Sequence, residues 1–305
     1  MARDTGSILP HPAVFLATFA VTAVAWTAAG LLWAAEAHAF AVSAFLLGLS
    51  LGPCLTAYAT APRAQKQRQR RLVLFTGGLS ILAPALLAGV SLDLEGFFGA
   101  LWAGTAGAAV GHTLVSVVLG PLVFGRVLCG WGCWRAMVLE LLPLRRAIPG
   151  ARRGAWPVLP YLGLAISGGA AVLASGRSHG LTAALVAGGV YYGSSIGMAV
   201  AFRDPRAFCK HLCPSSAILR WTSRPALLRV AADPAACDGC GACSRVCPME
   251  VDVAGAAAGA RRIGSGDCIL CQRCVQACTR GALRLRWGRA TTKDPTPRTA
   301  AAPCR

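Results

Sequence analysis

The chain has 305 residues, of which 55% are apolar and 14% charged, and a formal net charge of +18; its mean hydropathy is +0.55. About a quarter of the residues of a soluble globular protein are charged, so the composition excludes that class, along with intrinsic disorder, a disulfide-stapled miniprotein and a collagen-like chain. A nucleic-acid binder is excluded too, because the basic residues are separated by long apolar runs and those runs need lipid.

Residues 12–61 are almost entirely apolar. As one helix they would run roughly 75 Å, too long for a single crossing. Glu36 and His38 fall mid-run, so the stretch predicts an N-terminal transmembrane hairpin, 12–35 and 38–61, within a unit 1–61. It is too long, and too weakly basic at its start, for a cleaved leader. Further spans are predicted at 72–91, 105–128, 156–175 and 181–202, in a four-span core 62–222. The expected fold is an all-α integral membrane bundle of about six transmembrane helices, followed by a C-terminal α+β two-cluster ferredoxin domain at 223–287 and a disordered basic tail at 288–305.

Lysine and arginine set the expected orientation. The run 62–71 carries Arg63, Lys66, Arg68, Arg70 and Arg71, and the loop 129–155 carries Arg135, Arg145, Arg146, Arg152 and Arg153. The opposite loops hold Glu36, Asp93, Glu95 and one basic residue, Arg177. This places the N-terminus and the ferredoxin domain on the cytoplasmic side of the inner membrane, with the basic runs as a solvated face beside anionic lipid. Trp33, Trp102, Trp131, Trp134, Trp156 and Trp221 are read as interfacial anchors. Gly189-x3-Gly193-x3-Gly197 and Gly107-x3-Gly111 predict close helix packing.

After the last span come Cys237-x2-Cys240-x2-Cys243-x3-Cys247-Pro248 and Cys268-x2-Cys271-x2-Cys274-x3-Cys278. This is the ligand run of two-cluster bacterial ferredoxins, in which the fourth cysteine of each run ligates the other cluster. One 4Fe-4S cluster is therefore expected on Cys237, Cys240, Cys243 and Cys278, and a second on Cys268, Cys271, Cys274 and Cys247. Structural zinc is the competing reading, but zinc knuckles do not repeat the x2, x2, x3 run. Thr279 stands where the pattern has proline.

Two further pairs are Cys129-x3-Cys133 after the fourth span and Cys209-x3-Cys213 after the sixth. Each closes a unit of two spans, which predicts two parallel repeats related by an axis along the membrane normal. On a helix, i and i+4 share a face, so each pair is expected to present two sulfurs together at the inner membrane surface. The four thiols are read as a third metal centre, redox-active dithiols or buried packing residues. His112 is alone mid-span, so no bis-histidine haem is expected. His38 and His179 are read as solvated loop histidines, with a quinone or metal contact as the alternative, Cys54 as a packing residue at the Pro53 kink, and Cys304 as part of the tail. Asp93 and Glu95 are read as a solvated loop, with uptake of quinol protons as the alternative.

The core from about 62, both C-x3-C motifs and the ferredoxin module together resemble a known membrane ferredoxin group. It includes the NapH-type quinol dehydrogenase component of periplasmic nitrate reductase systems and the MauN-type protein of methylamine utilisation. NosR-type and FixG-type relatives carry an external flavin domain and a C-terminal sandwich domain that 1–61 and 288–305 do not resemble. The resemblance implies a protein in membrane lipid moving electrons between the quinone pool and a redox partner: a polyferredoxin, a cytochrome, or a soluble ferredoxin or flavodoxin. Arg245, Arg261, Arg262, Arg273, Arg280, Arg284 and Arg286 are expected to raise cluster potentials and attract an acidic partner. An accessory factor that supplies electrons for assembly of another enzyme, and an iron–sulfur redox sensor, are the alternative functions.

Overall fold

The protein is described here from a computed structural model, which covers residues 11–105, 107–144, 158–174, 181–259, 263 and 266–288. Arg3, Arg145, Arg146, Arg152, Arg153, Trp156, Arg177, His179, Arg261, Arg262, Cys304 and the tail from 289 lie outside the described residues.

The N-terminal hairpin is α1 (His11–Ala34) against α2 (His38–Leu49), which continues through a wide turn at Ser50–Cys54 into α3 (Leu55–Thr60). Pro53 sits inside that turn, where its missing N–H widens the helical ladder. Gly52 packs directly on Thr22 of α1. The next helix, α4 (Arg63–Leu87), starts nine residues before the predicted span. The basic run is made of strong helix formers (Ala, Gln, Lys, Arg), so it becomes the first turns of α4. Lys66 and Arg70 are buried there, not part of a solvated face.

A short helix, α5 (Leu94–Trp102), leads into α6 (Ala108–Thr113). This continues through Leu114–Leu119 into α7 (Gly120–Phe124). Gly125, at φ +64, ends α7 in a backbone conformation that favours glycine. The chain then turns by 99° into α8 (Val127–Trp131) and α9 (Trp134–Leu139). The second half repeats the plan: α10 (Leu159–Ala174), α11 (Leu181–Ala201), then the short α12 (Ala207–His211) and α13 (Pro214–Thr222).

Six spans were expected. Among the described residues three helices are long and apolar enough to cross a membrane, or four if the bent α6–α9 unit counts as one. Leu159–Ala170 and Leu185–Ala201 are shorter apolar helices. Trp33, Trp102 and Trp221 are exposed, as anchors should be. Trp131 and Trp134 are not: Trp131 Nε1 donates to the Leu270 carbonyl at 2.9 Å, and Trp134 packs edge-on against Tyr192.

The C-terminal unit pairs β1 (Leu228–Ala232) antiparallel with β2 (Leu283–Trp287), from Leu228 opposite Trp287 to Ala232 opposite Leu283. Between the strands run α14 (Ala242–Arg245), α15 (Val253–Ala258) and α16 (Arg273–Ala277). Val230, Val253, Ala257, Ile263, Leu270 and Leu283 form its core.

The glycines that permit close packing differ from those expected. A Cβ at Gly189, Gly193, Gly197, Gly107 or Gly111 would meet nothing among the described residues. Gly77 of α4, by contrast, lies against the Trp131 carbonyl and the Gly132 Cα, where a Cβ would fall 3.0 and 3.1 Å away. Gly77→Val should therefore cost about 1–3 kcal/mol through overpacking, and Gly193→Val should be close to neutral. Denaturant titration of the purified protein in detergent checks the contrast.

Candidate cluster-binding site

Neither C-x3-C pair lies on one helix face. Cys129 sits in the middle of α8 and Cys133 caps the start of α9; Cys209 sits in the middle of α12 and Cys213 caps the start of α13. The helix is interrupted inside each motif, by Gly132 at φ −150 in the first and ahead of Pro214 at the first position of α13 in the second. The contact at Gly77 puts the first loop beside the middle of α4. The thiols of Cys129, Cys133, Cys209 and Cys213 come within electrostatic reach of one another. Burial pushes the Cys209 thiol up to about 12, against the opposing pull of Arg206.

Buried cations frame this quartet. Arg126 and Arg206 stand three residues before the first cysteine of each pair and cap α8 and α12. Arg206 donates to the Cys129 carbonyl at 2.9 Å, and Arg70 of α4 donates to the Gly130 carbonyl at 2.6 Å. Both guanidiniums also close on one carboxylate, Glu140. Arg273 of α16 approaches the same carboxylate at 3.6 Å. Burial alone would raise the Glu140 pKa, but Arg206, Arg70 and Arg273 outweigh it and hold the carboxyl down at about 2. Arg126 bridges Ser216 Oγ, at 2.6 Å, to the Gly266 carbonyl and Asp267 of the ferredoxin unit. Lys210, inside the second motif, pairs with Asp204 and with Glu250 of the ferredoxin unit. Asp93 is not solvated: it is buried in an ion pair with Arg135, which also donates to Cys213 Sγ at 3.7 Å.

None of Glu140, Arg126, Arg206 or Lys210 was singled out from the sequence. The signal available was the repeat of Arg-x2-Cys-x3-Cys at 126–133 and 206–213.

The ferredoxin cysteines gather in two groups. Cys243 interacts electrostatically with Cys237 and Cys278, and Cys274 with Cys268, Cys271 and Cys247. Cys240 is exposed, whereas Cys271 and Cys274 are buried. Burial pushes Cys268 up to about 12 and Cys274 well above its ordinary value. Among the described residues no three Cys, His, Asp or Glu side chains stand close enough to hold a single metal ion. The donor set does fit iron–sulfur chemistry: grouped soft thiols whose deprotonation a bound cation would offset.

The second group docks on the membrane bundle. Cys129 packs with Cys247, Cys271, Met249 and Ile269 in one apolar cluster. Gly130 sits so close to the Ile269 carbonyl that a Cβ would collide with it. Gln67 of α4 donates to the Cys271 carbonyl at 3.3 Å and to Gln276 at 2.7 Å.

Comparison with known proteins follows this layout. Residues 229–279 match the family model of a 4Fe-4S dicluster domain, and residues 108–151 and 187–231 each match that of a 4Fe-4S binding domain. Two uncharacterized proteins of Methanocaldococcus jannaschii are 26% identical to the chain. One aligns over 207 residues, 65% of this chain and 79% of its own length; the other over 197 residues, 59% and 79%. The methylamine utilization ferredoxin-type protein MauN of Paracoccus denitrificans is 30% identical over 187 residues, 55% of this chain and 64% of MauN. No solved structure matches. The fold and these matches define an iron–sulfur electron-transfer protein with 4Fe-4S domains and candidate membrane helices. In the order of these matched segments the chain resembles the ferredoxin-type protein MauN.

Removing one partner of a buried ion pair typically costs about 3–5 kcal/mol. Glu140→Gln should fall in that range, since it strands Arg70 and Arg206, which are 0% and 2% exposed. Arg71→Ala should stay within about 0.5 kcal/mol, as Arg71 is 52% exposed. Because the Glu140 pKa falls from 4.5 to about 2 on folding, its contribution should be complete above about pH 4.5 and disappear as the pH drops towards 2. Denaturation midpoints of both variants against pH test this.

Proposed function

We propose that the chain moves electrons between the membrane quinone pool and a redox partner, using two 4Fe-4S clusters and a third thiolate centre. One cluster is held by Cys237, Cys240, Cys243 and Cys278, and the other by Cys268, Cys271, Cys274 and Cys247. Cys129, Cys133, Cys209 and Cys213 hold the third centre. Each cluster, when bound, is a one-electron carrier whose potential is tuned by surrounding charge and burial.

The observation that carries this reading is the shared packing of Cys129 with Cys247 and Cys271. It brings a bundle thiol and two ferredoxin thiols to one apolar cluster, built on Met249, Ile269 and Cys271. The double match of a 4Fe-4S binding domain, once over each C-x3-C segment, supports a centre there. The chain offers one thiol group to the bundle and, through exposed Cys240, the other to solvent. Arg245 donates to the Cys240 carbonyl at 2.9 Å, and Arg280 lies 3.4 Å from Asp238. These cations favour an acidic docking partner such as a soluble ferredoxin or flavodoxin, with a polyferredoxin or a cytochrome as the other classes. The distribution of Lys and Arg supports placement in the cytoplasmic membrane with the ferredoxin unit on the cytoplasmic side.

Anaerobically purified protein should contain clearly more than eight irons and eight sulfides per chain, two cubanes accounting for roughly eight of each. A Cys129→Ser/Cys209→Ser double variant should fall back to about eight. An unchanged count would remove the third centre. Reduction of the clusters by a quinol analogue, or their oxidation by a quinone, is also expected; failure in both directions would favour the accessory or maturation role.

A further inference from the structure

The bundle interior holds a second polar group beside the thiol quartet, joined to it through Arg135. Arg135, 6% exposed, is its centre. The guanidinium donates to Cys213 Sγ at 3.7 Å and to Asp93 Oδ1. It also lies 4.0 Å above the Tyr191 ring. The Tyr191 hydroxyl donates to Glu95 Oε1 at 2.6 Å and is shared with Ser167 Oγ at 2.9 Å. Glu95 Oε2, Arg135 Nε and the Oγ of Ser91 and Ser195 are buried without a hydrogen-bond partner among the described residues.

Tyr191 and Ser167 fall near the middle of α11 and α10, so these charges sit against the middle of two apolar helices. Ionisable groups so placed are costly and rarely idle. The two carboxylates are not equivalent. Asp93 is committed to Arg135, which leaves it a fixed counter-charge. Glu95 has a hydrogen bond on one oxygen and an open acceptor on the other. The other titratable groups facing the pair are Tyr192, whose hydroxyl donates to the Trp134 carbonyl at 2.9 Å, and His112, within electrostatic reach of Asp93.

We propose that Glu95 is the proton acceptor for a hydrophobic quinol oxidised at this protein, with Asp93, Arg135 and Tyr191 as positioning residues that tie it to the Cys213 end of the thiol quartet. The inference rests on the quinone-pool reading above and deepens it. Two O–H bonds of the quinol break. Its two protons pass in turn to Glu95 Oε2 and on to water, and its two electrons go singly to the iron–sulfur centres, leaving quinone. Tyr191 fixes the Glu95 carboxylate through Oε1. Arg135 places positive charge between the departing proton and the sulfur that borders the electron acceptor, which favours separating the two.

The test uses the full chain, loaded with iron, in lipid nanodiscs. Glu95→Gln should keep the wild-type iron content and reduction by dithionite but slow reduction by a quinol analogue about a hundredfold. Glu95→Asp should recover most of the rate. Infrared difference spectra between the quinol-reduced and quinone-oxidised states should show a carboxyl band in wild type that Glu95→Gln lacks. A Glu95→Gln variant that reacts within about twofold of wild type and keeps the band overturns the inference and leaves the quinone-pool reading standing. A wild type that reacts with neither quinol nor quinone overturns both. Should Glu95→Gln lose iron, Tyr191→Phe decides: about tenfold slower quinol reduction is expected, and a wild-type rate overturns the assignment.

Discussion

The carboxylate of Glu140 is shared by Arg70 from α4 and Arg206 from the start of α12, and Arg273 reaches it from the ferredoxin unit. Arg70 also donates to the Gly130 carbonyl and to Gln67 Oε1, and Arg206 to the Cys129 carbonyl. A charge this deep is strongly destabilising when its partner is removed, so the shared carboxylate ties four segments together. That arrangement puts the first C-x3-C loop under the second cysteine run of the ferredoxin unit. The packing of Cys129 with Cys247 and Cys271 follows from it.

The two halves of the bundle use one local device. A buried arginine caps a five-residue helix with a cysteine at its centre; the chain then breaks, and the second cysteine caps the next helix. Repetition brings four thiols together without any cysteine pair lying on a helix face. The halves then diverge in what they grip. Arg126 ties α8 to Ser216 and to Asp267, while Lys210 ties α12 to Asp204 and Glu250. The ferredoxin unit is held from both halves by charge, and by Trp131 and Gln67 through backbone carbonyls.

Much of this was legible in the sequence, for identifiable reasons. The N-terminal hairpin follows from apolar length and the break at Glu36, and the iron–sulfur character from cysteine spacing, because both are local signals. Local signals also misled. The basic run at 63–71 has the composition of a solvated surface, yet Arg70 is buried, since its partner Glu140 lies 70 residues away. Asp93 has the local sequence of a solvated loop, yet it is buried, since its partner Arg135 is 42 residues distant. Spacing at i and i+4 suggested a shared helix face, but Gly132 and Pro214 interrupt the helix. The Gly189, Gly193 and Gly197 stripe, whose spacing suggests a packing face, meets nothing within 4 Å among the described residues, while the close approach falls at Gly77. Hydropathy reports which segments avoid water, and it is silent on which charge pairs with which.

On the proposed reading, the bundle thiols and the ferredoxin thiols form one electrically continuous unit where Cys129 packs on the ferredoxin unit. Electron paramagnetic resonance of the fully reduced protein tests it most directly. A paramagnetic centre on Cys129, Cys133, Cys209 and Cys213 should split by spin–spin interaction the signal of a cluster on Cys268, Cys271, Cys274 and Cys247, the ligand set proposed above. The splitting should vanish in the Cys129→Ser/Cys209→Ser variant. Unsplit signals in the wild type, identical to those of the variant, would contradict the account.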